Sequence, residues 1–377
     1  MNTDGAYPPH FDGERYFNPG YGEHPSLWDF LRWRMKRGRR YPWPRNVLNP
    51  PPDLPPERVD GAALRVSYVG HVTALLQTCG VNVLTDPVWS KRASPVPFAG
   101  PRRCRKPGLT LDALPPLDAI LVSHNHYDHL DRATLARLAV KRPAPVFTPL
   151  GNARLIAKAA PHLTVHEMDW GDVADLGNGV RLHLEPMLHW SARGVRDRNI
   201  ALWGAFVLET PHGNVLFIGD TAYGAGETFR HHRSKFGGFR LALLPIGAYL
   251  PRWFMKFSHM DPEEAVRAMK DLNAVNALAT HYEVFPLADD RFDAPRRALE
   301  AARERHQVAP ERFPTLEPGA AWWVPELSPE VAPEQAPQRT GFSTDVARFG
   351  TPEGQAPRLS RPGRPGVKSG VRPGRSG

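Results

Sequence analysis

Cysteine is nearly absent. The two present, Cys79 and Cys104, do not form a C-x-x-C pair, so neither a disulfide framework nor a sulfur-ligated metal is expected, and a reducing compartment fits. Long apolar runs are also missing. Nowhere do about 18 apolar residues follow one another, so no transmembrane helix is expected. The opening MNTDGAYPPHFDGERYF lacks the basic-then-apolar order of a secretory leader, and a cytoplasmic location is the expectation. Acidic residues are outnumbered, and the formal charge of +9 favours anionic partners without naming their kind.

Proline, by contrast, is abundant, and many of the 41 prolines sit in the two end regions. The 377 residues suffice for a substantial core. The composition divides them into an N-terminal extension over 1–58, a main domain over 59–326, and a Pro/Arg/Gly-rich tail over 327–377 that reads as disordered. Within the extension, SLWDFLRWRMKRG (Ser26 to Gly38) predicts a short helix. Ser26 and Asp29 have capping-box-like spacing, and Leu27, Phe30, Leu31 and Met35 share a face. Lysines and arginines alternate with Trp33, Tyr41 and Trp43 from Arg32 to Arg45. That pattern fits docking on the main domain, contact with an anionic membrane surface through residues 26–45, or nucleic acid.

The main domain is organised around ILVSHNHYDHLD, Ile120 to Asp131. A short apolar strand ends in His124, His126, Asp128 and His129, a concentration of metal-ligand side chains at one strand tip. Asp131 is placed to cap a following helix that carries Leu135 and Leu138. Strands are also expected at 63–69, 75–78, 81–85, 145–148, 164–168, 180–185, 214–218, 241–246, 274–280 and 321–324, with helices at 152–160 and 261–272. Several deliver a ligand-type residue at or just beyond the end: His189, Asp220 and His281. Asp86, at the end of 81–85, reads either as a carboxylate that orients a ligand histidine or as a turn residue before Pro87.

A catalytic dinuclear centre needs about three to four ligands per metal. His124, His126 and His189 would serve one ion. Asp128, His129 and His281 would serve the other, and Asp220 would bridge, with a shared hydroxide as nucleophile. Two Zn2+ ions suit the mixture of imidazole and carboxylate, and ligand type alone leaves iron or manganese open.

SHNHYDHLD matches the H-x-H-x-D-H signature of the metallo-β-lactamase superfamily. Further blocks, YVGHVTALLQ, LTDPVWSKRASPVPFAGPRR, LHWSARGVRDRNIALWGAF, IGDTAYG and LPIGAYLPRWFMKFSHMDPEEAV, resemble the N-acylphosphatidylethanolamine-hydrolysing phospholipase D family and its bacterial relatives. The resemblance implies an α/β (α+β) fold, a four-layer αββα sandwich. It also implies the same seven ligands and a phospholipase D type of phosphodiester cleavage that releases phosphatidic acid and an N-acylethanolamine. Asp128 would take the proton as the hydroxide attacks. His259 matches a position that contacts the phosphate or protonates the leaving oxygen, or else it is only a polar residue leading a helix.

Two departures from the family pattern stand out. Relatives continue the last ligand as His-Trp-Gly-Thr-Phe, whereas this chain has His281, Tyr282, Glu283, Val284 and Phe285, a change expected to reshape a pocket wall. Arg240 stands where relatives have Asp, which should alter a surface contact or one behind the ligands. A peripheral position on the inner face of a membrane and a phospholipid substrate follow from the resemblance, and a homodimer is left open. The alternative is another hydrolase on the same scaffold, a lactonase, thioesterase or nuclease. The intact ligand set argues against a nucleic-acid-binding protein.

Overall fold

Strands hold most of the apolar residues, and their two faces are buried against different partners. The computed structural model describes residues 9–21, 25–36 and 41–327. Helix α1 (Leu27–Lys36) precedes β1 (Leu64–Gly70), β2 (Thr73–Thr78), β3 (Val81–Thr85) and β4 (Ala119–Leu121). Next come α2 (Arg132–Lys141), β5 (Val146–Pro149), α3 (Ala153–Ala157), β6 (Val165–Met168), β7 (Val173–Gly177), β8 (Val180–Glu185), β9 (Ala205–Glu209) and β10 (Val215–Phe217). The chain continues through α4 (Glu227–Phe236), β11 (Phe239–Pro245), α5 (Arg252–Met255), α6 (Pro262–Asp271), β12 (Ala274–Thr280), α7 (Ala294–His306) and β13 (Ala321–Val324).

These strands form two sheets, ordered β13-β1-β2-β3-β4-β5-β6 and β12-β11-β10-β9-β8-β7. Strands β3 to β6 run parallel, as do β10 to β12. Because side chains alternate along a strand, β3 and β4 sort their residues cleanly. Val83, Ala119 and Leu121 join the core between the sheets with Leu182, Phe206 and Leu243. Their neighbours Leu84, Ile120 and Val122 pack outward on Leu135 and Leu138 of α2 and Ile156 of α3. Helices α6 and α7 cover the other sheet with Val266, Met269 and Leu299. The layers are therefore αββα, as the resemblance implied.

Helix α1 begins as its capping spacing predicts: the Asp29 carboxylate accepts from Ser26 N (2.9 Å) and Ser26 Oγ accepts from Asp29 N (3.2 Å). The buried face differs from the expected one. Trp33 is 6 % exposed while Met35 is 78 % exposed. Trp33 stacks on Phe254 at 5.0 Å and donates Nε1–H to Asp289 Oδ2 (2.7 Å), which sets the helix rotation. The expected stop at Gly38 lies outside the described residues, as do positions 328–377 of the expected tail.

The expected helix from Asn152 shortens to α3, and β7, β9, α4, α5 and α7 add to the elements legible in the sequence. Arg240 makes no surface contact. It is 2 % exposed, and its guanidinium donates to the carbonyls of Ala62 (2.6 Å), Val324 (2.9 Å) and Pro325 (3.0 Å), tying β11 to the two ends of the domain. Among the described residues no helix is long and apolar enough to cross a membrane.

Candidate metal centre

The carboxyl ends of β3, β4, β10 and β12 open on one edge of the sandwich, the usual position for a ligand site on parallel strands. The loop after β4 carries His124, His126, Asp128 and His129. Asp131 ends it as the N-cap of α2, accepting from Ala133 N and Thr134 N. Asp220 follows β10, and His281 follows β12. His189 lies past the end of β8. The side chains that the sequence placed far apart thus meet here.

They meet in two groups. In one, His126 Nδ1 lies 2.9 Å from His124 Nε2 and 3.2 Å from His189 Nε2. In the other, Asp220 Oδ2 lies 3.1 Å from His129 Nε2 and 3.2 Å from His281 Nε2. Asp128 Oδ2 lies 3.3 Å from His281 Nε2 and 3.5 Å from His129 Nε2. Ligands tetrahedral about an ion at about 2.0–2.1 Å are spaced by roughly 3.3 Å, which matches these separations.

Neighbouring groups fix the ring tautomers. Asp86 Oδ2 stands 2.6 Å from His129 Nδ1, and the same carboxylate takes hydrogen bonds from Ser123 N (2.7 Å) and Ser123 Oγ (2.6 Å). With its own proton donated to Asp86, Ser123 Oγ is left to accept from His124 Nδ1 at 3.0 Å. His189 Nδ1 donates to the Ser258 carbonyl (3.0 Å). In all three rings the Nε2 lone pair is thereby turned toward the centre, the arrangement that metal-binding imidazoles need. Asp86 therefore orients a ligand-type histidine, in a backbone with φ +28°. Gly219 allows the close approach: a Cβ there would sit 2.6 Å from Ser123 Oγ.

The electrostatics call for a cation. Burial keeps the rings of His124 and His189 neutral, their pKa well below the usual range, and takes His126 down to about 4. In the second group burial opposes charging, yet the Asp220 and Asp128 carboxylates hold His129 well above its ordinary range and push His281 up to about 9. Burial likewise opposes ionisation of Asp128 and Asp220, but the facing rings hold both carboxyls well below the usual carboxylate range. Protons on the rings here stand where a metal's charge would otherwise balance two buried carboxylates. Asp220 Oδ1, His126 Nε2 and His281 Nδ1 are buried without a hydrogen-bond partner. The donor set fits one or two divalent ions.

His259 comes within reach: its Nδ1 is 3.7 Å from Asp220 Oδ2, too far for a hydrogen bond, and its ring centroid lies 5.4 Å from that of His189. Burial lowers its pKa to about 4. Two supporting residues were not legible in the sequence. His71, in the turn after β1, places Nε2 3.0 Å from Asp128 Oδ2, and its carbonyl accepts from His281 N at 2.7 Å. Burial lowers its pKa to about 3. Asn18, in the extension expected to lack regular structure, donates Nδ2–H to the His189 carbonyl (2.8 Å) and accepts from Trp203 Nε1 (3.2 Å). The only local hints were the G-H turn and the N-P step.

The substituted pair after His281 does not form a pocket wall. Tyr282 stacks on Tyr68 at 5.8 Å and donates its hydroxyl to Leu316 O (2.6 Å). The Glu283 carboxylate is 5 % exposed and pairs with Arg105 (3.2 Å) and twice with Arg296 (3.0 Å each). Both side chains are thus bound into the structure behind the ligand.

The chain is similar to known proteins over about two thirds of its length. The family described as Beta-lactamase superfamily domain matches residues 81–282. The N-acyl-phosphatidylethanolamine-hydrolyzing phospholipase D 1 of Caenorhabditis elegans is 36 % identical over 271 residues, covering 69 % of this chain and 76 % of that protein. An uncharacterised protein of Mycobacterium tuberculosis is 40 % identical over 255 residues, covering 67 % of each chain. Among solved structures, a possible metal-dependent hydrolase from Veillonella parvula superposes with a TM-score of 0.54 at 16 % identity, over 69 % of this chain and 99 % of that one.

Proposed function

The chain belongs to the β-lactamase superfamily and, within it, to the family of the N-acyl-phosphatidylethanolamine-hydrolysing phospholipases D, and from that premise we propose that it cleaves the phosphodiester of an N-acylphosphatidylethanolamine-like phospholipid. The products are phosphatidic acid and an N-acylethanolamine. At the coarser level it is a metal-dependent hydrolase. The observation that supports a metal-dependent hydrolase is the pair of ligand groups, with Asp220 Oδ2 facing the second while its Oδ1 is buried and unpartnered; the finer reading is supported by the 36 % identity to a phospholipase D of this type.

His124, His126 and His189 would hold one ion, and Asp128, His129 and His281 the other, with Asp220 shared. Two divalent cations held there, zinc by ligand type, would supply Lewis acidity toward the phosphate oxygens and activation of water. Asp128, kept ionised by the rings around it, is placed to accept a proton. His259, with Nδ1 unpartnered, is placed to contact the phosphate.

The lipid part of the reading draws support from the surface beside the site. Trp28 and Met35 of α1 are each 78 % exposed, and Trp253 of α5, the helix that precedes His259, is 44 % exposed. An exposed apolar and basic helix of this kind suits an anionic membrane surface, approached peripherally from the inner face. The test is release of N-acylethanolamine from vesicles by the metal-loaded full chain. A product yield no greater than that of His126→Ala, alongside turnover of soluble bis-p-nitrophenyl phosphate, would sink the lipid assignment while keeping a hydrolase.

A further inference from the structure

On the His126 side of the centre an open cavity of about 650 Å³ is lined by Arg15, Val195, Arg196, Arg198 and Asn199. Three of its five lining residues are arginines, and little offsets their charge. Among the described residues the only carboxylate in ion-pair range of the three guanidiniums is Glu14, 3.4 Å from Arg15, with its side chain 79 % exposed. The acid within the loop, Asp197, is occupied elsewhere, accepting from the backbone N–H groups of Arg193 (3.1 Å) and Gly194 (2.7 Å).

Two of the arginines are held in place. Arg198 donates to the Pro25 carbonyl (3.2 Å), and its guanidinium lies 4.7 Å from the ring centroid of Trp190. Trp190 in turn packs edge-on against His126, with centroids 4.4 Å apart. Arg198 of the cavity lining is thus linked to the first ligand group through the ring of Trp190. Arg15 donates to the Arg198 carbonyl, which ties its side chain to the backbone of the loop. Guanidiniums fixed in this way have already lost much of the rotamer freedom that anion binding would otherwise restrict, and their forked N–H groups match phosphate oxygens. The lip carries an exposed apolar residue: Val195 is 93 % exposed. Charge beside a fully exposed apolar side chain suits an interface better than it suits a soluble anion.

We propose that this cavity is a phosphate subsite distinct from the metal centre, taking the headgroup phosphate of an anionic lipid that neighbours the one being cleaved. The identity of the surface rests on the lipid reading above; the chemistry of the subsite rests on the three arginines.

The test is flotation of the metal-loaded full chain with phosphatidylcholine vesicles, with and without phosphatidylglycerol. Arg196→Ala, at an exposed position, should weaken partitioning onto the anionic vesicles about fivefold. Arg198→Lys, which keeps the charge and loses the fork, should weaken it too. Lys158→Ala removes the same charge from the end of α3 and should leave partitioning unchanged. Equal weakening by Lys158→Ala would reduce the effect to net charge and overturn the subsite. No preference for phosphatidylglycerol, together with binding of inorganic phosphate that Arg196→Ala abolishes, would assign the cavity to a soluble anion and overturn the lipid assignment. Partitioning is read without turnover, so failure to cleave phospholipid would count against the proposed reaction alone.

Discussion

Asp86 Oδ2 and His129 Nδ1 are 2.6 Å apart, both fully buried. The carboxylate also receives both hydrogen bonds from Ser123, so its charge is shared between the strand end and the ring. Asp86→Asn keeps the shape and loses the anion. Metal content of the purified variant should fall, with affinity for the second ion reduced about 10- to 100-fold. Titration of the apoprotein with zinc, followed by calorimetry, measures this. Affinity equal to wild type would mean that the contact does not tune the ligand.

His71 holds the other carboxylate of the same group. Replacing it with Phe keeps a planar ring and removes the donor to Asp128. Turnover of a soluble phosphodiester should fall at least about tenfold. Because Asp86 and His71 act on ligands of one cage, a double-mutant cycle read as turnover should depart from additivity by at least about 0.5 kcal/mol. A strictly additive cycle would show the two supports to be independent.

The buried Glu283 pair should matter for stability more than for chemistry. Glu283→Ala leaves Arg105 and Arg296 facing one carboxylate, Glu317, where they had two. A buried pair broken on one side costs about 3–5 kcal/mol, and the surviving Glu317 puts the expected loss near the low end. Glu283→Gly should lose somewhat less, since the φ of +53° is one that glycine adopts freely. Urea unfolding of the two variants gives the comparison, and a change within error for both would contradict it.

His232 lies wholly buried in α4, and burial takes its pKa down to about 3. The unfolded chain takes up this proton near pH 6.5, whereas the folded chain refuses it until about pH 3. Stability is therefore lost as pH falls through that window, by about 1.4 kcal/mol per pH unit. At pH 5 the loss is about 2 kcal/mol relative to neutrality. His232→Leu should flatten this dependence. Thermal melts of both proteins at pH 7 and pH 5 should show a smaller drop in Tm for the variant.

The parts legible in sequence were those whose signal is local. Strand β4 announces itself by unbroken apolar residues, and the ligand loop by its side-chain chemistry. His189, Asp220 and His281 could be found because each follows a short apolar strand. Elements with thin apolar stripes were harder to see: α7 buries only Pro295, Leu299 and Ala302 of its 13 residues, and β7 is an edge strand with Ala174 alone buried. Asn18 and His71 act through hydrogen bonds to residues 171 and 57 positions away, a relation that no periodicity encodes. The pair Tyr282–Glu283 misled for the same reason, because its partners Arg105, Arg296 and Leu316 lie on other elements.

Each ligand group draws on both sheets. His124 and His126 follow β4 of one sheet while His189 follows β8 of the other; Asp128 and His129 face Asp220 and His281, which follow β10 and β12. A cation seated in either group is therefore a rivet through the open edge of the sandwich. Loading and folding become one linked equilibrium. Scarcity of metal would then act on the lifetime of the folded protein as well as on its rate.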